Sequence, residues 1–128
     1  MRKLAFTLCL LAFISCKKEE ETKEALYPEK TISAEEKQLQ LGQEIFDGKG
    51  MCFSCHKPDQ KVIGPSVKQI AEIYKEKNAD MKLFLQEKSE PIVDPSQYSV
   101  MKANLTITKT FTDEELKAVE TYFYSHLK

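Results

Sequence analysis

Cys52-Phe53-Ser54-Cys55-His56 is the stretch that decides how the rest of this 128-residue chain is read. Cys-x-x-Cys followed directly by His is the spacing that covalent haem attachment demands: two thiols add to the two vinyl groups of one porphyrin, and the adjacent imidazole turns onto the iron. Other chemistries also use a Cys-x-x-Cys pair. A closed zinc site needs two further ligands at compatible spacing, yet after His56 the only Cys or His left is His126, near the chain end. A thioredoxin-like redox pair belongs beside alternating strands and helices, and the first half of the chain shows no strand-rich pattern. One motif predicts one haem.

Upstream of the motif, Ser33-Ala34-Glu35-Glu36 forms a capping box, in which the serine oxygen accepts from a helix amide and Glu36 reaches back. A first helix is expected from Ala34 to about Asp47. Leu39, Gly42 and Phe46 recur at helical spacing, with Leu41 and Ile45 on a neighbouring row. Gly42 costs ~1 kcal/mol relative to Ala in a helix interior, which points to close approach by another helix. Gly48 and Gly50 then break the helix and are expected to let the chain bend under the porphyrin.

Downstream, Gly64-Pro65-Ser66 opens a second helix with Val67, Ile70, Ala71 and Tyr74 on one face and Lys68, Glu72 and Lys75 on the other. A short third helix is expected around Asp80 to Lys88, carrying Met81, Leu83, Phe84 and Leu85. The stretch from Ser89 to Thr110 holds Pro91 and Pro95 and shows no sustained period, so it reads as a long, functional loop. Thr112-Asp113-Glu114-Glu115 is a second capping box, followed by Leu116, Val119, Phe123 and Leu127 along one stripe. Tyr122 and Phe123 supply aromatic bulk to sit against Gly42 and Phe46.

From about Ser33 to Lys128 these features, in this order, resemble a small class I (mono-haem) cytochrome c. The haem motif carries most of the resemblance; Gly42, Phe46, Gly64-Pro65, a late methionine and an aromatic last helix add to it. The resemblance implies an all-α, class I cytochrome c fold, three to five helices wrapped around one covalently attached haem. It implies that Cys52 and Cys55 form the thioethers to a single haem c and that His56 is the proximal iron ligand. It also gives the carbonyl of Pro65 the other imidazole N–H, a hydrogen bond that fixes the ring and increases electron donation to iron.

The distal ligand is chosen among Met51, Met81 and Met101, with His126 as an outsider. Met51 adjoins Cys52 and hardly reaches the opposite haem face. Met81 starts an apolar helix, where methionine is more often core filler. Met101 lies between the motif and the last helix, where the family carries its ligand, and is preferred. Many relatives place Pro beside that methionine, whereas Val100 and Lys102 stand here. Stiffening is then left to packing of Tyr98 and Leu105.

Thioether sulfur favours ferrous iron, so a His/Met pair raises the reduction potential. With both axial positions filled no site remains for a substrate, and the expected function is one-electron transfer between redox protein partners, a respiratory complex among them, rather than enzyme catalysis. Without Met101 on the iron, an open distal position would suit a peroxidase-like enzyme or a gas sensor; the absence of a recognisable distal acid/base His argues against it. Lys49, Lys57, Lys61 and Lys102 lie close in sequence to the haem contacts. They read equally as a basic rim that steers an acidic partner and as the solvated surface of a lysine-rich chain.

The chain opens with Met1-Arg2-Lys3 and an apolar run from Leu4 to Ile14, about half the ~20 residues that a spanning helix needs, and so reads as a secretion signal. Phe13-Ile14-Ser15-Cys16 resembles the lipobox of bacterial lipoproteins, with Phe13 where Leu is usual, which implies acyl chains on Cys16. At ~0.8 kcal/mol per buried methylene, several chains anchor a protein to a membrane without any spanning helix. Lys17-Lys18-Glu19-Glu20-Glu21 resembles a signal that sends some lipoproteins of Gram-negative bacteria to the outer leaflet of the outer membrane, although such runs are more often solvated spacers. The expected organisation is a signal peptide over 1–15, a lipidated Cys with a charged tether over 16–32, and a haem domain over 33–128 on the periplasmic side. Cys9 leaves with the signal, Cys16 takes lipid, and Cys52 and Cys55 take haem, so no thiol is left for a disulfide. Loss of Arg2 and Lys3 moves the formal charge from -1 to -3, which gives no support to a nucleic-acid role.

Overall fold

Both capping boxes form as reciprocal hydrogen bonds. Ser33 N–H donates to the Glu36 carboxylate at 2.8 Å while Glu36 N–H donates to Ser33 Oγ at 3.1 Å, and Thr112 and Glu115 repeat the exchange at 2.9 and 3.3 Å. They start the first and last helices of a computed structural model that describes residues 32–128. The signal run, Cys16 and the charged stretch that follows it lie outside the described residues.

Five α-helices and no strand make up the described residues: α1 (Ala34–Asp47), α2 (Val67–Glu76), α3 (Met81–Leu85), α4 (Tyr98–Thr108) and α5 (Asp113–Ser125). The all-α expectation holds. Short 3-10 turns at Cys52–Ser54 and Pro95–Gln97 complete the order. Ser66 caps α2 by accepting from Gln69 N–H at 3.1 Å, so Pro65 stays outside the helix with its carbonyl free for another donor.

Helix α5 is the hub, packing against α1, α2 and α3. Its closest approach is at Gly42 of α1: a Cβ there would lie 2.1 Å from the Ala118 carbonyl oxygen and 2.7 Å from Tyr122 Cβ. The missing side chain is what lets the two backbones touch. Phe46 fills the space beside that crossing, with its ring 5.0 Å from Tyr122 and 5.8 Å from Phe123. Aromatic pairs at this spacing contribute ~0.5–1.5 kcal/mol beyond the area they bury.

Two expectations need correction. The third helix is shorter than its expected Asp80–Lys88, because Glu87 takes a left-handed conformation at φ 58° and the chain turns there. The stretch from Ser89 to Thr110 is not one long loop, since α4 occupies Tyr98–Thr108. Its sequence hides the helix. Met101, Ala103, Leu105 and Ile107 alternate with polar residues, the period of a strand, and Val100, Thr106, Ile107 and Thr108 are β-branched. No side chain caps its first turn. Tertiary contacts hold it instead: Leu105 and Thr108 are buried, and Thr108 Oγ1 donates to the Leu85 carbonyl at 2.6 Å, tying α4 to α3.

Candidate functional site

The haem-motif residues sit on a tight turn that α1 delivers. Gly50 N–H reaches back to the Ile45 carbonyl at 2.8 Å, and the left-handed residue of the turn is Met51 at φ 52°, not either of the glycines before it. Cys52–Ser54 then forms a 3-10 turn whose Cys52 carbonyl accepts from both Cys55 N–H at 3.1 Å and His56 N–H at 3.0 Å. Cys52, Cys55 and His56 are thereby held in one coil. Cys52 and Cys55 are both free thiols. Burial pushes the Cys52 thiol up to about 11, so it stays protonated at neutral pH, and its Sγ lies 3.4 Å from the Gly50 carbonyl.

His56 is buried, and Nδ1 donates to the Pro65 carbonyl at 2.7 Å. A carbonyl can only accept, so Nδ1 carries the proton and Nε2 keeps an electron pair for a metal. Burial lowers the pKa of His56, and the Pro65 bond offsets that only in part. The neutral form, the one that binds metal, is therefore favoured. Gly64 makes room for this geometry: a Cβ there would lie 2.5 Å from His56 Cε1.

These side chains line one cavity of about 380 Å³, within the range of small-molecule and cofactor sites. Ile70, Tyr74, Leu85, Ile107, Val119 and Phe123 give it apolar walls, and among the described residues Asp94 is the only carboxylate in its lining. All three methionines weighed from the sequence reach it, but differently. Met81 is buried in the core, Met51 is largely exposed at the edge, and Met101 is half-buried on α4. Met101 thus sits on a helix, not a loop. Tyr98 does brace that helix, its ring 6.3 Å from Phe84. His126 does not line the cavity; it closes α5 with its ring 4.9 Å from Tyr122.

Sequence reading missed two residues that fasten α4. Asn104 Nδ2 donates to the Gly50 carbonyl at 3.2 Å, joining the helix of Met101 to the turn before Cys52. Glu87 accepts from Tyr98 Oη at 3.4 Å and pairs with Lys102 at 3.3 Å and with Lys109. The helical spacing of Met101 and Asn104 is the signal available in the sequence, masked by the alternating pattern of the segment.

Among the described residues no group of three or more His, Cys, Asp or Glu converges on one metal ion. The donors instead line one largely apolar cavity: two thiols, an imidazole with a free nitrogen, and thioether sulfurs. That donor set fits a porphyrin better than a bare cation. No curated protein matches the chain. The family model described as cytochrome c matches residues 39–126, which takes in most of α1, the Cys-x-x-Cys-His turn, the cavity walls and all of α5. A match over well more than half of the chain, on a fold built around that cavity, places this protein in the cytochrome c family.

Proposed function

We propose that this protein is an exported, membrane-tethered class I cytochrome c that carries single electrons between redox proteins through a haem held by His56 and Met101. The family binds haem c covalently and transfers electrons. Haem c supplies a ferric–ferrous couple whose potential depends on its axial ligands and surroundings. Cys52 and Cys55 would hold it by thioether bonds. His56 would bind iron through Nε2, with the Pro65 carbonyl fixing the ring and strengthening its donation. Met101 would take the other side.

The observation that carries this reading is the 2.7 Å His56–Pro65 hydrogen bond, which orients a buried neutral imidazole in a cavity shared with two thiols and Met101. Apolar walls exclude water and keep the charge change of the couple from being solvated, which favours the less charged ferrous form. With two protein ligands on the metal there is no vacant position for a substrate. Acylation of Cys16 would place the carrier at a membrane on the periplasmic side, at high local concentration beside a partner such as a respiratory complex.

A visible spectrum of both oxidation states, taken on protein matured with haem-attachment machinery, tests the reading. The expected result is a c-type haem with the methionine-to-ferric charge-transfer band. A colourless protein overturns it, and rapid carbon monoxide binding by the reduced form would replace the carrier with an open-site haem protein.

A further inference from the structure

Helix α3 ends in a turn that suits glycine and is occupied by glutamate. Past Leu85, the last residue of the helix, Glu87 N–H donates to the Phe84 carbonyl at 2.8 Å and Lys88 N–H to the Leu83 carbonyl at 2.7 Å, the two bonds that close a Schellman turn. That turn needs a left-handed residue between Gln86 and Lys88, and Glu87 has φ 58°. Glycine takes this conformation freely and asparagine tolerates it, as Asn78 does at φ 46°, whereas the Cβ of a glutamate is pressed toward the following carbonyl. Such strain persists where surrounding contacts enforce it, and it gathers at functional sites.

What glutamate adds over glycine is a carboxylate, and three donors of the α4 segment converge on it. Tyr98 Oη donates at 3.4 Å, Lys102 lies at 3.3 Å from the same oxygen, and Lys109 donates to the other oxygen. Tyr98 is the first residue of α4, Lys102 stands one turn on with its ammonium 5.9 Å from the Tyr98 ring centroid, and Lys109 follows the last residue. One side chain thus grips α4 from end to end. The helix has need of it: among the described residues α1, α2 and α3 pack on α5, whereas α4 packs mainly against the 3-10 turn before it. Tyr98, Met101 and Asn104 succeed one another at helical spacing and all line the cavity, so a carboxylate that fixes Tyr98 and Lys102 also fixes the direction of Met101.

We propose that Glu87 is a positioning residue for the distal iron ligand: its carboxylate, held in a strained turn, latches α4 so that Met101 stays on the metal. The proposal rests on the assignment of Met101 made above and extends it to what sets the lability of that ligand. Glu87 does not itself line the cavity; it acts through Tyr98, Lys102 and Lys109. Because the two lysines are 61% and 43% exposed, the latch weakens as salt rises.

Imidazole titration of the ferric, haem-loaded protein tests this, followed in the visible spectrum at about pH 8, where imidazole is uncharged. Imidazole takes the iron only in molecules whose own ligand has left, so its apparent affinity reports how firmly Met101 is held. From about 0.01 M to about 1 M salt the screening length falls from ~30 Å to ~3 Å, and wild-type affinity should rise about threefold. Glu87→Gln keeps an acceptor for Tyr98 without the charge; it should bind imidazole about fivefold more tightly than the wild type at low salt and change by less than about twofold with salt. Glu87→Gly also relieves the left-handed turn, so it should unfold at a higher denaturant concentration than Glu87→Gln and still bind imidazole at least as tightly. A side chain that only stabilised the fold would give the opposite order, with the more stable variant keeping its ligand better. Gly42→Ala, which weakens the fold at the crossing of α1 and α5, should leave imidazole affinity within about twofold of the wild type.

Wild-type affinity in either Glu87 variant at low salt overturns the proposal, as does a wild-type response to salt as flat as that of Glu87→Gln. If Gly42→Ala loosens the ligand as far as Glu87→Gln does, the effect is general destabilisation and the proposal likewise fails. A wild-type ferric protein without the methionine-to-ferric charge-transfer band removes the His56 and Met101 reading, and this proposal with it. With that band present, inert Glu87 variants overturn this proposal alone.

Discussion

The side-chain amide of Asn104 donates to the Gly50 carbonyl across 3.2 Å, bridging α4 and the turn that presents Cys52. Met101 lies one helical turn before Asn104, so this bond joins the segment of the distal candidate directly to the segment of the thiols. The same carbonyl faces Cys52 Sγ at 3.4 Å. A thioether has no S–H to donate, so haem attachment leaves Asn104 as the side-chain donor to Gly50.

Replacing Asn104 with Ala removes this tie and leaves a part-buried carbonyl without its side-chain partner, a loss of roughly 1–2 kcal/mol. If that energy helps to hold Met101 in place, exogenous imidazole should bind the ferric variant about tenfold more tightly. Imidazole titration followed in the visible spectrum measures it. Wild-type affinity in Asn104→Ala would mean that α4 is held by Glu87 and Thr108 alone.

Met101→Ala and Met81→Ala should separate ligand from core. Loss of the methionine-to-ferric band and a lower reduction potential are expected only in Met101→Ala, since thioether ligation raises the potential. Met81 is buried, and its truncation should cost about 2–5 kcal/mol while the band survives. The opposite pattern would move the assignment to Met81.

Gly42→Ala makes the helix-crossing argument quantitative. Alanine favours an isolated helix by ~1 kcal/mol, but here its Cβ would press on the Ala118 carbonyl, and that backbone cannot rotate away. The net effect should be a loss of about 1–3 kcal/mol, seen as a lower denaturant midpoint of the haem-loaded protein. A stabilised variant would show that α1 and α5 can part without penalty.

What the sequence made legible followed from strong local signals. The two capping boxes, Gly42 with Phe46, and the proline of Gly64-Pro65 each state a requirement that neighbouring residues alone define. The features that escaped reading depend on distant partners. Helix α4 has an alternating pattern and no cap, so nothing in its own residues outweighs the tertiary bonds from Leu85, Glu87 and Gly50 that stabilise it. Met51 escaped for a related reason: two glycines precede it, yet the positive φ falls on the residue between them and the motif.

Met51→Gly should therefore stabilise the protein. A left-handed conformation costs a residue with a Cβ ~1–2 kcal/mol, and glycine gives back part of that gain through its freer unfolded chain. A net gain of about 0.5–1 kcal/mol in chemical denaturation, with an unchanged visible spectrum, is the expected outcome. The unchanged spectrum would also remove Met51 from the distal candidates.

Acid should weaken the fold through its caps. The Lys49 ammonium, and after it the Thr112 amide, hold the Glu115 carboxyl below the usual carboxylate range; the Ser33 amide does the same for Glu36, and Lys109 and Lys102 for Glu87. Since each folded value lies below the unfolded value of ~4.3, the unfolded chain takes up protons first as pH drops. The stabilisation from these groups is complete above that pH and disappears as pH falls through the folded values. Glu115→Gln keeps a side chain able to accept from Thr112 but does not titrate. Its denaturant midpoint should start below that of the wild type at neutral pH and fall less between about pH 5 and about pH 3. Parallel pH profiles for the two proteins would place the acid sensitivity outside the α5 cap.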